Sequence, residues 1–494
     1  MKRSYDFLIQ ISWFLFLICL PITSFPLFSK LLGSTSVALL SFVFLALLSL
    51  FWLLPQIVQT RSLPQHALPI LAFFSFALLS TLLAAFLPIP SLKNLSHWSN
   101  SAEAVITLGI GISTYLLVSL FINSSAHLKR FVQIINITGI AILAYSFVQA
   151  AFWFLTGTYP EFLRQFQGLV SSSQMLYKAR VTGFAFEPSW LAHQLNCLYM
   201  PLWLGMSLKK TSAYHWRIGK FSLENLLLVL GFFVLLLSFS RIGWISFIAV
   251  LAYLLLRGMR NLSQAIVQRI ENKRTHAQNK TRQVLLYSGF WALFILIMLA
   301  VLLGAGLIFY RMDWRMQELF NLALIREEGI LGWARKMIFA ERLVYWIAGF
   351  KVFLKYPFFG VGLGNAGYFF PQTFNAFSYQ LVEVTQILIH EGFIPNAKNL
   401  WVRILAETGI IGFSFIAAWL YIHWKSARYL ERSGSGFNAA FGLIGQVFLI
   451  ALIFEGFSID SFALPYYWVS MGLIAAVFRL EFAVSDQKGP TKCV

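Results

Sequence analysis

The chain is organised around apolar runs that recur with little between them. Residues 7–28 contain no charged side chain, nor do residues 36–58. A bilayer hydrocarbon core about 30 Å thick takes about 20 residues of helix, so each run is long enough to span one. Further runs lie at 67–89, 104–122, 131–156, 190–208, 221–238, 243–256, 284–309, 400–424, 437–457 and 464–478, which makes twelve in all. Those at 221–238, 243–256 and 464–478 are short, so the count can move by about two. A membrane β-barrel would instead alternate apolar and polar residues over strands of about ten. Only 12% of residues are charged and 59% are hydrophobic, against about 25% charged in a soluble domain. The expected fold is therefore all-α, a polytopic membrane protein of about twelve transmembrane helices, with residues 1–494 forming a single integral membrane domain. Soluble enzyme folds are excluded.

The net charge of +19 would point to nucleic acid in a soluble protein. Here the basic residues sit between apolar runs, so no nucleic-acid partner is expected, only membrane lipid. With the N-terminus in the cytoplasm, the inner segments carry Lys2, Arg3, Arg61, Lys129, Arg130, Lys209, Lys210, Arg217, Lys220 and a basic run from Arg257 to Arg282. The short outer loops carry Lys30 and Lys93. That asymmetry follows the positive-inside rule and puts both termini in the cytoplasm. Cys19 and Cys197 fall inside apolar runs and Cys493 at the tail, which is no disulfide framework. The start of the chain resembles a signal n-region, but its apolar run is long and lacks a small-residue cleavage site.

Two long outer segments remain, 157–188 and 310–399. Long loops are uncommon unless functional. The second holds Arg311, Arg315, Arg326, Arg335, Lys336, Arg342, Lys351, Lys355 and Lys398. Basic residues where topology does not call for them point to an anionic ligand; a solvated loop touching lipid headgroups is the plainer alternative.

Four stretches could carry chemistry. Arg180 to Trp190 re-enters the membrane at Glu187-Pro188-Ser189. Pro188 and Ser189 suit a helix start, and Glu187 is either an acid stabilised by the helix N-terminus or a general base. Ser238 to Trp244 puts Arg241 between two apolar runs, where an arginine deep in a span costs about 2.5–3.5 kcal/mol. Snorkelling to headgroups is the structural alternative. Glu341 to Lys355 alternates apolar and basic residues at helical spacing and reads as an amphipathic interfacial helix ending at Tyr356-Pro357. The Gly360-Val361-Gly362-Leu363-Gly364-Asn365 stretch after it lacks the strand and Gly-Lys-Ser/Thr of a nucleotide loop; it reads as a tight turn bringing backbone close to a ligand. Finally Asn399 can cap the run that follows, with Lys398 beside it and His390 upstream. The eight histidines are scattered and form no metal constellation, and no cofactor is expected.

Together these stretches resemble the O-antigen ligase and O-antigen polymerase superfamily over about the last two thirds of the chain. Ser240-Arg241-Ile242-Gly243-Trp244 is similar to its Ser-Arg-Gly span. Arg342 followed by Tyr356-Pro357 to Gly364-Asn365, and Asn399 to Gly412, are similar to its loop motifs. The Glu187-Pro188-Ser189 element is similar to one in polymerase-type members. Ligases of the family usually have a histidine where this chain has Lys398, a poor base at neutral pH.

The resemblance implies a metal-independent glycosyltransferase acting on an undecaprenyl-diphosphate-linked glycan donor at the outer face of the bacterial inner membrane. Arg241 and Arg342 would hold the leaving diphosphate and Glu187 would deprotonate the acceptor. Arg180, Arg311, Arg315, Lys398, Asn399 and His390 would bind substrate, His390 being a fallback base. Two acceptors stay open: another lipid-linked glycan in a polymerase, the preferred reading, or lipid A-core or protein in a ligase. A chain-length regulator protein is a further partner the resemblance allows. A polysaccharide transporter is the alternative from another class, but the middle of most spans is uncharged, candidates such as Arg241, Glu187 and Glu455 fall toward one face, and no repeat is seen.

Overall fold

The computed structural model describes residues 2–31, 37–61, 63–217, 221–271, 321–336, 339–389, 392–434 and 436–487, with isolated residues at 219 and between 288 and 311. Among them the chain is helical, and its one β-pairing is an isolated bridge between Ser24 and Ala38. The first half contains α1 (Lys2–Ile18), α2 (Ser41–Thr60), α3 (Gln65–Phe86), α4 (His97–Phe121), α5 (Ser125–Thr156) and the short amphipathic α6 (Glu161–Val170). Then come α7 (188–208, with a π turn at Leu195–Tyr199), α8 (Leu223–Leu237) and α9 (Arg241–Glu271). After them follow α10 (Leu322–Lys336), α11 (Ala340–Lys355) and α12 (Val382–Ile389). The chain closes with α13 (Leu400–Ser433), α14 (Gly436–Glu455) and α15 (Pro465–Gln487).

Seven of these helices are long and apolar enough to cross a membrane: α2, α3, α4, α5, α9, α13 and α14. That is fewer than the twelve spans expected. Helices α1, α7, α8 and α15 stand where four others were placed. They are shorter, or are broken by polar side chains such as His193 and Asn196 in α7 and Arg479 and Glu481 in α15. Of the run at 284–309 only scattered residues are described, and those are helical. The chain is a multi-pass helical membrane protein.

α14 lies at the centre of the bundle. It packs along α13 and receives α7 and α9; α15 packs on α4, and α3 on α13. Buried Phe441, Ile444, Phe448 and Leu452 carry α14 through the core. Lipid tails are as apolar as leucine, so close packing rather than the hydrophobic effect holds such helices together. Glycines make room for the largest rings. A Cβ on Gly139 or Gly231 would come within 2.5 or 2.7 Å of the buried Trp203 ring, whose Nε1 donates to Asn136 Oδ1 at 2.9 Å.

Residues 334–406 gather a second core. Ala340, Val344, Tyr345, Ala348 and Val352 form one stripe of α11 and face Phe369, Phe370, Val384 and Ile387. Burying a side chain such as Val344 or Phe370 stabilises this unit by about 1.5–3 kcal/mol. The helix expected to end at Tyr356-Pro357 does end there, at Lys355.

The glycine-rich turn departs from expectation. α13 breaks at Gly409 (φ 63), and the chain at 357–364 fills the break. Ile410 N–H donates to Pro357 O (2.8 Å), Val361 N–H to Ala406 O (3.0 Å) and Gly362 N–H to Glu407 O (2.9 Å). A Cβ on Gly360 (φ 70) would sit 2.4 Å from the Glu407 carbonyl carbon, and one on Gly409 2.2 Å from Phe358 O. The glycines thus bring backbone against a broken helix rather than a ligand. The orphan amides and carbonyls of the break are the reason, because each needs a partner when buried.

Candidate active site

Three helix N-termini converge at the end of the bundle that carries the second core. α7 starts behind Glu187, which takes the N-cap position; its carbonyl accepts from Trp190 and Leu191 N–H, and Ser189 Oγ donates to its carboxylate. α9 starts behind Ser240, whose Oγ accepts from Gly243 N–H at 3.4 Å, and Arg241 is its first residue. The two helices cross closely just inside these starts, where a Cβ on Gly243 would lie 2.6 Å from Ala192 Cβ. α13 starts behind Asn399, whose Oδ1 accepts from Trp401 N–H (3.0 Å) and Val402 N–H (3.1 Å), the cap its sequence calls for. It abuts the end of α14, with Leu400 N–H donating to Gly456 O at 2.7 Å. Each N-terminus carries about half a positive charge.

Side chains add to that field. Arg180 Nε donates to Ser238 O (3.1 Å) and its NH2 to Phe239 O (3.5 Å), so it caps the end of α8 and holds the turn into Arg241. Part of its donor fork is thus spent on backbone. Tyr177 lies beside both Arg180 and Glu187. Arg342 on α11 donates to Ser458 O and Ser458 Oγ, each at 2.9 Å, on the segment between α14 and α15.

Lys398 joins the two sides. Its ammonium pairs with Glu383 of α12 and sits 4.9 Å from the Tyr345 ring centre. Burial, then the neighbouring Arg342 guanidinium, push its pKa down to about 8 against the opposing pull of Asp460, Glu187 and Glu341. Asp460 Oδ2 is shut off from solvent without a hydrogen-bond partner among the described residues, and burial raises its pKa despite Arg403, Lys398 and Arg342 nearby.

The backbone is strained at the same places. Ala179 (φ 57), Phe239 (φ 48) and Lys398 (φ 51) are left-handed, at a cost of about 1–2 kcal/mol each. Each directly precedes a motif residue or its cap: Arg180, Ser240 and Asn399. Strain of this kind gathers at functional sites.

Of the other expected substrate-binding residues, Arg311 is helical and exposed. Arg315 and His390 lie outside the described residues. Sequence reasoning missed Arg403, Glu407, Ser458 and Asp460. Arg403 Nε donates to both oxygens of Glu407 (3.2 and 3.1 Å) and its NH1 to Asp460 O (2.6 Å), with its guanidinium 4.6 Å from the Phe462 ring centre. The Arg403–Glu407 spacing of four residues inside an apolar helix was a readable signal. Ser458 and Asp460 offered none. Among the described residues no group of three His, Cys, Asp or Glu side chains is placed to hold a metal ion.

This arrangement suits an anion with spread charge, held by cations and helix N-termini beside a carboxylate. Residues 226–417 match the model of the O-antigen ligase family. That stretch, less than half of the chain, is similar to the O-antigen ligase family. The matched stretch contains Arg241, Arg342, Lys398, Asn399, Arg403 and Glu407, whereas Glu187, Ser458 and Asp460 lie outside it. Comparison with curated proteins found no match. The likeness supports a membrane function of the O-antigen ligase or polymerase type and gives transport no support.

Proposed function

We propose that the protein is a glycan polymerase that joins undecaprenyl-diphosphate-linked oligosaccharides at the outer face of the bacterial inner membrane, with both termini in the cytoplasm. The convergence of three helix N-termini with Arg241, Arg342 and Lys398 around Glu187 carries this reading.

The donor's diphosphate lies among these cations. Glu187 takes the proton of the acceptor hydroxyl, using the carboxylate oxygen that Ser189 leaves open. The acceptor oxygen bonds to the anomeric carbon as the bond from that carbon to the diphosphate oxygen breaks. The electron pair leaves with the diphosphate, which gains one negative charge, and Arg241, Arg342 and Lys398 stabilise that charge as it develops. The proton passes from Glu187 to water. No step calls for a metal or a nucleotide.

Glu187-Pro188-Ser189 and the lysine at position 398 favour a polymerase. The family description favours the second reading, a ligase moving the finished glycan to lipid A-core or protein. Purified protein in detergent, given the host's lipid-linked repeat unit without metal or nucleotide, tests both. A ladder that vanishes in Glu187→Gln and Arg342→Ala is the expected result. Transfer that appears only with lipid A-core added would establish the ligase, and no product with either acceptor would sink glycan transfer.

A further inference from the structure

A polar node lies inside the bundle, beneath the proposed site. Asn196 sits in the π turn of α7. Its Nδ2 donates to Gly243 O of α9 at 2.9 Å and to Glu455 Oε1 at the end of α14 at 2.6 Å. One amide therefore touches three helices. Glu455 Oε2 has no hydrogen-bond partner among the described residues and faces His193 Nδ1 at 3.7 Å. That ring nitrogen is 3.5 Å from Cys197 Sγ, and Tyr466 and Tyr467 flank the imidazole edge-on. Glu455, His193 and Asn196 are all at least nine-tenths buried.

Such a node is an expensive way to pack three helices. A buried carboxylate loses its hydration, and well-packed apolar residues of similar volume usually serve stability as well or better. A π turn interrupts the regular hydrogen-bond ladder and is frequent at functional sites. What the node does have is leverage. Asn196 is nine residues along the chain from Glu187, Gly243 is two from Arg241, and Glu455 is three from Ser458 and five from Asp460. The three helices it joins therefore deliver the proposed base, one proposed phosphate-holding arginine, and the segment that grips the other.

We propose that Asn196 and Glu455 are positioning residues for glycan transfer: their hydrogen bond fixes the spacing of Glu187, Arg241 and the Ser458–Asp460 segment. The inference rests on the proposed function. It predicts an effect on turnover rather than on donor binding, because a small misplacement of reacting groups costs rate before it costs affinity.

The test uses the full-length protein in detergent with the lipid-linked repeat unit, reading kcat, donor KM, and thermal stability separately. Asn196→Ala and Glu455→Ala should each lower kcat about 10- to 100-fold with donor KM within about threefold. The double variant should be no worse than the poorer single, because both break the same Asn196–Glu455 bond and Glu455→Ala removes nothing that Asn196→Ala leaves between the two. Glu455→Gln keeps an oxygen for Asn196 and should return kcat to within about fivefold of the unmutated chain. Where an alanine variant fails to accumulate, the apolar pair Asn196→Leu with Glu455→Met decides: a folded protein with kcat still lowered about tenfold or more supports positioning. Unchanged kcat in that pair, or multiplying effects in the double alanine variant, or Glu455→Gln as slow as Glu455→Ala, would overturn it. Activity in the unmutated chain that is lost in Arg342→Ala keeps the glycan-transfer reading standing whichever way the node falls. No product from the unmutated chain with either acceptor removes that reading and this inference with it.

Discussion

The two sides of the proposed site are built differently. Glu187, Arg180 and Arg241 belong to elements woven into the main bundle, where α7 and α9 cross at Ala192 and Gly243 and both meet α14. Arg342 and Lys398 belong to the second core, which meets the bundle at the broken start of α13 through the 357–364 turn and the Arg342–Ser458 contact. The first side cannot shift without disturbing the helices that fill the membrane. The second is joined to the bundle through α11 packed on the start of α13, through a few hydrogen bonds and through glycines that admit no side chain.

That contrast can be broken, and the largest effect should come from Gly360→Ala. It forces a left-handed residue and a contact with the Glu407 backbone, a combined cost of about 3 kcal/mol or more. Limited proteolysis should show the 322–399 segment loosened while the bundle stays intact; simultaneous loss of both would mean the two sides are one cooperative unit. Next comes Arg342→Ala, expected to lower kcat/KM by about 10²–10³, or about 2.7–4 kcal/mol of transition-state stabilisation, at unchanged protein level. A loss under about tenfold would remove Arg342 from the diphosphate site.

Lys398 sharpens the comparison through pH. With its pKa at about 8, its ammonium is present below that pH and lost above it, so donor KM should rise as pH passes about 8. Lys398→Arg, which stays charged, should flatten the rise; an unchanged profile would assign the titration elsewhere. The sign for stability is opposite. Between about 8 and the ordinary 10.5 the unfolded chain holds a proton the folded chain does not, so this group makes folding more favourable as pH rises through that window. The smallest effect belongs to Ser458→Ala. The backbone carbonyl still receives Arg342, so kcat/KM should fall only about fivefold, about 1 kcal/mol. A fall as deep as that of Arg342→Ala would make the Ser458 hydroxyl itself part of the chemistry.

Much of this architecture was legible beforehand. Apolar runs mark helices at eleven of the twelve expected places, because spanning a bilayer is a local demand on about 20 consecutive residues. The helix starts at Pro188 and Leu400 and the end of α11 at Lys355 were readable too, since capping and proline act within a few residues. The glycine turn was found but its target was misjudged. The sequence shows that Gly360, Gly362 and Gly364 admit close approach, but not to what. The polar residues within α7 and α15 lowered the number of clear spans for a reason visible only afterwards: they face protein, where His193 and Asn196 find partners.

By itself, then, the sequence determined a helical membrane protein, the starts of α7 and α13, the end of α11, and the residue types available for binding an anion. These follow from local rules of burial, capping and charge. Tertiary structure alone decided that Glu187 and Lys398, more than 200 residues apart, share one electrostatic neighbourhood. It also placed Ser458 against Arg342 and let Asn196 join three helices. The Lys398 amine titrates low for the same reason: a pKa is set by burial and by the charges packed around the group, and these arrive from distant parts of the chain only when it folds.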